Sequence, residues 1–442
     1  MTKRVASVCI LGLRSALRSK LVLALLILLA VVATSIKGDG TPAGELRMQL
    51  TWTLALAFAV LGAASLWIGC SAVAGDVETG CHIGTAVTPV HSFEIWLGRW
   101  LSLLIINIFL LAFVMAVLVL QLRLKGFSKE DTAVSRLLTN DPAAIEQMVH
   151  ERYDYLKSLG ELPENVKEED VLELIRYYLL TSYAPVDPGQ VRKWEMLLEN
   201  GDAALPIRIE FSFISAAGTA GGSKGICRVY NEAGKVVATH VIEENDISSA
   251  TFDVVAGAIN EDTRRITVSF ENTEDPETGS GVLVHQTESL KAYVPDGGLL
   301  WNMFKCWLAL ISMLALLSAI GITCGILFSF PVAAFTATAI VCLLLLGQGT
   351  LFEDAIETKI RERNIAGSQT SIKIVAAKMS SAIFHTVNAF TSPFADTHAL
   401  DRLGDGVAID MKRVGRCVLW TSIVQPICFG FLGALVLRRR EL

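Results

Sequence analysis

The sequence predicts a polytopic α-helical membrane protein with six transmembrane helices, interrupted by an extracytoplasmic α+β domain in which a helical part is followed by an antiparallel β-sandwich. Three observations predict it. Hydrophobic residues make up 52% of the 442 positions and charged residues only 19%, against about 25% charge in ordinary soluble domains. The charges are also segregated: residues 123–298 hold 17 Lys and Arg against 30 Asp and Glu, a net of −13, whereas the remainder holds 21 against 14, a net of +7. Finally, the basic part contains uncharged runs over Leu50–Gly75, Trp100–Leu122 and the 47 residues between Lys305 and Glu353. A helical crossing needs about 20 apolar residues.

Taken in order, residues 2–20 carry Lys3, Arg4, Arg14, Arg18 and Lys20 and no acid, with Val5, Ile10, Leu13 and Leu17 between them. This is an interfacial helix that enters a first span near Leu21–Ile36; no A-x-A cleavage pattern follows it, so an uncleaved helix is expected. Its basic residues place the amino terminus inside. The second span is predicted over Leu50–Ala74 and the third over Trp100–Leu122. The long uncharged run divides at Ser329, Phe330 and Pro331 into a fourth span, Trp301–Leu327, and a fifth, Val332–Leu346. The sixth runs over Val418–Leu437, and Arg438, Arg439 and Arg440 keep the carboxyl end inside, so the number of spans is even. Residues 1–122 and 299–442 thus form one membrane body. Lys305 is expected to snorkel at the end of the fourth span, and Trp52, Trp100, Trp301 and Trp420 fall near interfaces.

With both ends inside, residues 75–100 form a cytoplasmic loop. Asp76 can cap a short helix through Val77, Cys81 and Thr85 that Pro89 stops, and an amphipathic piece, Phe93–Leu97, leads into the third span. The acidic insert, 123–298, is then extracytoplasmic. Residues 123–204 read as helical, with apolar spacings of three and four in AAIEQMVHERYDYLKSLG and EEDVLELIRYYLLTSYA. From 205 to 298 the pattern becomes alternation in seven short runs, from PIRIEFSFIS to LKAYV, separated by Gly, Asn, Asp and Pro, which predicts the β-sandwich. Residues 218–225 are its glycine-rich connection. The stretch 351–416 is polar, and SIKIVAAKMSSAIFHTVNAF within it is expected as an amphipathic helix lying at the outer membrane face or dipping into it between the fifth and sixth spans.

No residue pattern predicts catalysis or a metal. Gly221-Gly222-Ser223-Lys224-Gly225 lacks the spacing of a phosphate-binding P-loop. Cys81 and His82 are adjacent ligands without a second pair, and His150, His240 and His285 are scattered surface or packing histidines. Acidic clusters at Glu243–Asp246, Glu261–Asp262 and Glu274–Glu277 have no fixed ligand register and are expected to be solvated. Only Cys227 of the nine cysteines lies in the insert, so no disulfide can form there. Within the predicted spans no ionisable group stands in the bilayer apart from Lys305 and thiols. An ion-coupled pump needs such groups, so energy must come from a partner. No nucleic-acid partner is expected.

Glu78, Gly84, Thr85, Pro89, Val90, Leu97, Gly98, Arg99 and Trp100 carry a pattern that resembles the E-x-E-x-G-T, P-V-x-R and L-G-K-W motifs of type-2 permease subunits of ATP-binding-cassette exporters. LRSALRSKLVLALLIL and the stretch from SPFADTHALDRLGDG to LRRREL look like the family's amino-terminal helix and carboxyl end. His91 and Ser92 stand where the family has Ser-Arg, and the acidic insert is not a core family feature. The resemblance implies a non-catalytic half-transporter in the cell membrane that pairs with a second permease subunit, contacts membrane lipid and docks a cytoplasmic ATPase. That ATPase binds ATP and Mg; this chain holds no cofactor. Asp76, Glu78, Thr79, Gly84, Thr85, Pro89, Val90, Glu94, Gly98 and Arg99 are its expected coupling residues. The competing reading is a membrane-anchored scaffold or receptor whose insert, 123–298, binds an extracytoplasmic protein or glycan.

Overall fold

The structure is a computed structural model that describes residues 2–18, 20–36, 42–78, 91–127, 132–160, 168–199, 202–215, 224–242, 249–260, 262–275, 281–346 and 392–440. In chain order the elements are α1 (Thr2–Arg18), α2 (Leu21–Ser35), α3 (Pro42–Glu78), α4 (Ser92–Lys125), β1 (Ala133–Leu137), β2 (Thr139–Asn140), α5 (Pro142–Leu159) and α6 (Glu168–Thr181). Ten strands follow: β3 (Tyr183–Val186), β4 (Val191–Leu197), β5 (Ile207–Ser212), β6 (Ile214–Ser215), β7 (Gly225–Tyr230), β8 (Val236–Ile242), β9 (Ser249–Val254), β10 (Arg265–Asn272), β11 (Val282–His285) and β12 (Leu290–Gly298). The chain closes with α7 (Leu299–Leu327), α8 (Phe330–Leu346), α9 (Ala399–Gly404), α10 (Met411–Cys417), a π-helical stretch (Val418–Val424) and α11 (Gln425–Arg440). These elements form two compact units, residues 1–132 with 298–442 and residues 133–297.

Among the described residues of the helical unit, four helices are long and apolar enough to cross a bilayer: Glu45–Ala72 within α3, Ser92–Lys125, Leu299–Leu327 and the continuous Met411–Arg438. This is the composition of a membrane protein; the count among the described residues is four, or five if the bent α1–α2 pair is one span, where six are predicted. α2 has 15 residues and meets α1 at a 65° bend, and α8, with 17, is shorter than the others. The break before α8 falls at Phe328 and Ser329, where the turn was expected. α7 is the hub. Every residue from Ala309 to Ile326 is buried, because α3, α4, α8 and the α10–α11 helix all pack on it.

Small residues permit this. A Cβ on Gly325 would lie 2.6 Å from the Cys70 carbonyl oxygen, and one on Gly321 would lie 2.9 Å from that of Leu66. The four-residue spacing puts both glycines on one face of α7, so the α3 and α7 backbones touch. The π-helical stretch precedes Pro426, which has no N–H to give and would clash with the carbonyl four residues back. Bonds five residues long, such as Gln425 N–H to the Trp420 carbonyl, absorb the mismatch.

Lys305 does not snorkel. It is 6% exposed, its Nζ donates to the Ile409 carbonyl at 2.8 Å, and it lies 5.9 Å from the Trp301 ring centroid. A buried ammonium keeps its charge only with such acceptors. Asn302 beside it holds the same segment, donating to Val407 O and accepting from Ile409 N, both at 2.8 Å.

In the second unit, α5 and α6 match the two helical patterns. Asp141 caps α5 ahead of Pro142, and Gly160, at φ 72°, closes it. The structure adds four strands, β1–β4, ahead of residue 205, a region that the sequence marks as helical. All seven predicted runs form strands, in sheets ordered β1-β12-β5-β9, β2-β4-β10-β7-β8 and β3-β11-β6. The pairings β4/β10, β7/β10, β7/β8, β5/β9 and β5/β12 are antiparallel. Alternation explains the core: Ile207, Ile209 and Phe211 of β5, Cys227 and Val229 of β7, and Ile266, Val268 and Phe270 of β10 point inward around Trp194. Phe211 stands 4.7 Å from Phe270 and 5.7 Å from Trp194, centroid to centroid. The two histidines that the structure describes in strands are packing groups: His240 stacks on Phe252, and His285 Nδ1 accepts from Thr287 and Glu288 N–H groups in a turn.

Candidate functional site

The coupling residues expected from sequence divide three ways. Thr79, Gly84, Thr85, Pro89 and Val90 lie outside the described residues, as does the amphipathic segment 371–390. Asp76 and Glu78 fall in the last turns of α3. Asp76 and Val77 therefore continue α3, and the rest of the short helix expected from Asp76 lies outside the described residues. Glu94, Gly98 and Arg99 occupy the first turns of α4, which starts at Ser92, eight residues before the predicted span and continuous with it.

α4 begins where it does because Glu94 reaches back to the chain ahead of it. His91 has an extended backbone (φ −71°, ψ 144°); its N–H donates to Glu94 Oε2 at 3.2 Å, and the Glu94 N–H donates to the His91 carbonyl at 2.8 Å. Glu94 is 3% exposed. A buried carboxylate needs compensation, and here it comes from the N–H, the positive end of the helix and the Arg4 guanidinium of α1 at 3.9 Å. One turn on, Gly98 lets α1 rest on the α4 backbone: an added Cβ would lie 2.7 Å from Val8 Cβ and 3.1 Å from the Val5 carbonyl. Gly12 on α1 returns the favour to Ser102, whose Oγ would sit 2.6 Å from a Cβ there.

Arg99 Nη1 donates to the Ala72 carbonyl near the end of α3. The two arms of the loop are thus tied at their base. Trp96, 2% exposed, donates through Nε1 to Thr323 Oγ1 of α7 at 3.2 Å. Thr323 Oγ1 in turn donates to the Phe429 carbonyl of α11 at 3.3 Å. A Cβ on Gly430 of α11 would lie 2.7 Å from Trp96 Cζ3, so α11 presses on the indole. Trp100 stacks on Trp96 at 6.0 Å and donates to the Ala315 carbonyl of α7 at 2.9 Å. Two turns deeper, Asn107 Nδ2 donates to Ser65 Oγ of α3 at 2.8 Å and to Ser318 Oγ of α7 at 3.2 Å.

The first turns of α4 therefore grip α1, α3, α7 and α11 at once. Among the described residues no group of three or more His, Cys, Asp or Glu is placed to hold a metal, and the junction brings together no nucleophile and base. Sequence reasoning reached Glu94, Gly98 and Arg99 but missed Arg4, Val5, Val8, Gly12, Trp96 and Thr323. The spacing of Val5, Val8, Cys9 and Gly12 on α1 was the available signal, since i, i+3, i+4 and i+7 mark one docking face. No family model, curated protein or solved structure matches this chain.

Proposed function

We propose that the chain is the transmembrane permease subunit of an ATP-binding-cassette exporter, coupling hydrolysis by a separate cytoplasmic ATPase to movement of a substrate across the membrane. The observation that carries this reading is the junction at His91–Trp100. A load delivered to the polar loop before it would pass through Glu94, Trp96 and Arg99 into α7, the helix against which the membrane body packs. The pattern of Glu78, Gly84, Thr85, Pro89 and Val90 supplies the docking surface for the ATPase.

In this reading α2, α3, α4, α7, α8 and the α10–α11 helix are six spans, both ends are cytoplasmic, residues 123–298 are extracytoplasmic, and two such subunits pair around the path. The chain itself is not an enzyme; ATP and Mg belong to the partner. Tagged full-length chain is expected to co-purify with a P-loop ATPase and to stimulate its hydrolysis after reconstitution. Glu78→Ala or Pro89→Ala is expected to lower that stimulation while the subunit keeps its elution profile. Normal transport and normal ATPase stimulation in both variants would remove the loop from the mechanism.

A further inference from the structure

Arg136, Arg176, Arg228 and Arg265 of the acidic insert each pair with a carboxylate. Arg192 and Lys193 of β4 do not: neither makes an ion pair with a described residue. Arg192 is half-buried, and its acceptor is a neutral amide, Gln286 Oε1, reached by Nε at 3.2 Å and Nη2 at 2.6 Å. Gln286 is 4% exposed and is tied through its carbonyl to Asn140 Nδ2 at 3.2 Å. The guanidinium is thus held in one orientation, with Nη1 unbonded among the described residues. Burial without a carboxylate pulls Arg192 below the ordinary guanidinium pKa.

The backbone beside these cations is also open. β4 is bonded along its length to β10, but to β2 only at Met196 and Leu197, and Asp141 N–H adds a bond to the Glu195 carbonyl. Main-chain groups of a strand alternate between its two sides, so those of Lys193 and Val191 point the same way as those of Glu195. No described residue meets them. Side chains alternate between the two faces: Arg192 shares the face of Trp194 and Met196, while Lys193 and Val191, both exposed, stand on the other.

We propose that the Val191–Lys193 end of β4 receives an extended acidic segment of a partner protein, which adds a strand to the sheet and sets one carboxylate on Arg192 and the next, on the opposite face, beside Lys193. The open edge demands an extended backbone, because only another strand offers N–H and C=O groups at the matching spacing. Charge selects among strands. Residues 123–298 hold 30 acids against 17 bases, yet two cations beside the free backbone lack one, and a carboxylate on a guanidinium makes the stronger, charge-assisted bond that Gln286 does not supply. A second copy of this chain paired β4 to β4 would crowd the same cations together, which is destabilising. The edge does not depend on the permease reading.

The probe is a fluorescein-labelled peptide, Thr-Val-Asp-Glu-Val-Thr, titrated with the purified full chain in mild detergent and followed by fluorescence anisotropy. Saturable binding is expected. Asn-Gln in place of Asp-Glu should weaken it at least about tenfold, and so should methylation of the peptide's backbone nitrogens, which keeps the charge and removes strand pairing. Arg192→Gln should lose about tenfold and Lys193→Gln about two- to fivefold. An unchanged elution profile and circular dichroism check folding, and the exposed Lys193 keeps the test readable if Arg192→Gln does not fold. Absence of saturable binding, equal binding of the Asn-Gln peptide, or binding that survives methylation or both substitutions overturns the proposal. So does a dimer of the chain in sedimentation that Lys193→Glu alters, which would assign the edge to a second copy. None of these readouts involves ATP, so they fail independently of the ATPase test above.

Discussion

Gly98 has no side chain to give way, and the branched Val8 and the Val5 carbonyl lying on it cannot swing aside. With Val8 Cβ at 2.7 Å and a backbone carbonyl at 3.1 Å from an added Cβ, Gly98→Ala must push α1 off α4, at a cost of about 1–3 kcal/mol. Gly415, in α10, has nothing within 4 Å of such a Cβ, so Gly415→Ala gains helix propensity and should stabilise by up to about 1 kcal/mol. Thermal unfolding of the two variants in detergent should move in opposite directions; a common direction would contradict the contact. Cys227 offers a chemical test of the other unit. Burial pushes its thiol up to about 12. Because the folded value lies above that of the exposed thiol, its protonated form contributes stability at neutral pH that is lost as pH rises toward 12. Cys227 should resist iodoacetamide at pH 9 in the native chain and react once unfolded, as mass mapping of the alkylated residue would reveal.

At the scale of elements, the first turns of α4 combine two roles. The bond from His91 N–H to Glu94 and the Arg4 pair define where the helix starts, while Trp96 and Trp100 define what it grips. Thr323→Val removes the acceptor for Trp96 Nε1 and keeps the volume, leaving a buried indole N–H without its partner, which costs about 1–3 kcal/mol. Under the permease reading, Thr323→Val should also lower ATPase stimulation more than an equally destabilising substitution in the second unit does; equal losses would make the bond merely structural. These contacts were poorly legible in the sequence. The apolar run that includes Trp100 was clear, but a start at Ser92 depended on Glu94 reaching back to His91, and the α7 and α11 partners of Trp96 lie more than 200 residues away in the chain.

Considered whole, the molecule carries one compact unit inserted into another. The insertion is possible because β1 and β12 are neighbours in one sheet, and Arg136 pairs with Asp296 across them. The two ends of the insert are therefore side by side. Residues 133–297, with a core that includes Trp194, Phe211 and Phe270, should fold when expressed alone and unfold cooperatively with about 5–15 kcal/mol of stability, followed by tryptophan fluorescence. A collapsed or aggregated product would show that the unit depends on the helical one. The proposed topology has its own test: Lys235→Cys, at an exposed turn position, should label with an impermeant maleimide in intact cells.

By itself the sequence determined where the chain is apolar, where its pattern changes from helical to alternating, and where turns interrupt it. α7, the strands from β5 to β12, and the break at Ser329 follow from local composition, which acts over a few residues. Only the tertiary structure decided that α7 is enclosed on all sides, that α1 docks through Val5, Val8 and Gly12, that β1–β4 complete the sheets, and that Lys305 is held by a carbonyl instead of reaching outward. The physical reason is that hydropathy measures a preference for leaving water and does not distinguish a lipid tail from another helix. Which neighbour fills that place depends on fit between distant surfaces, as at Gly98 against Val8 and Gly325 against Cys70.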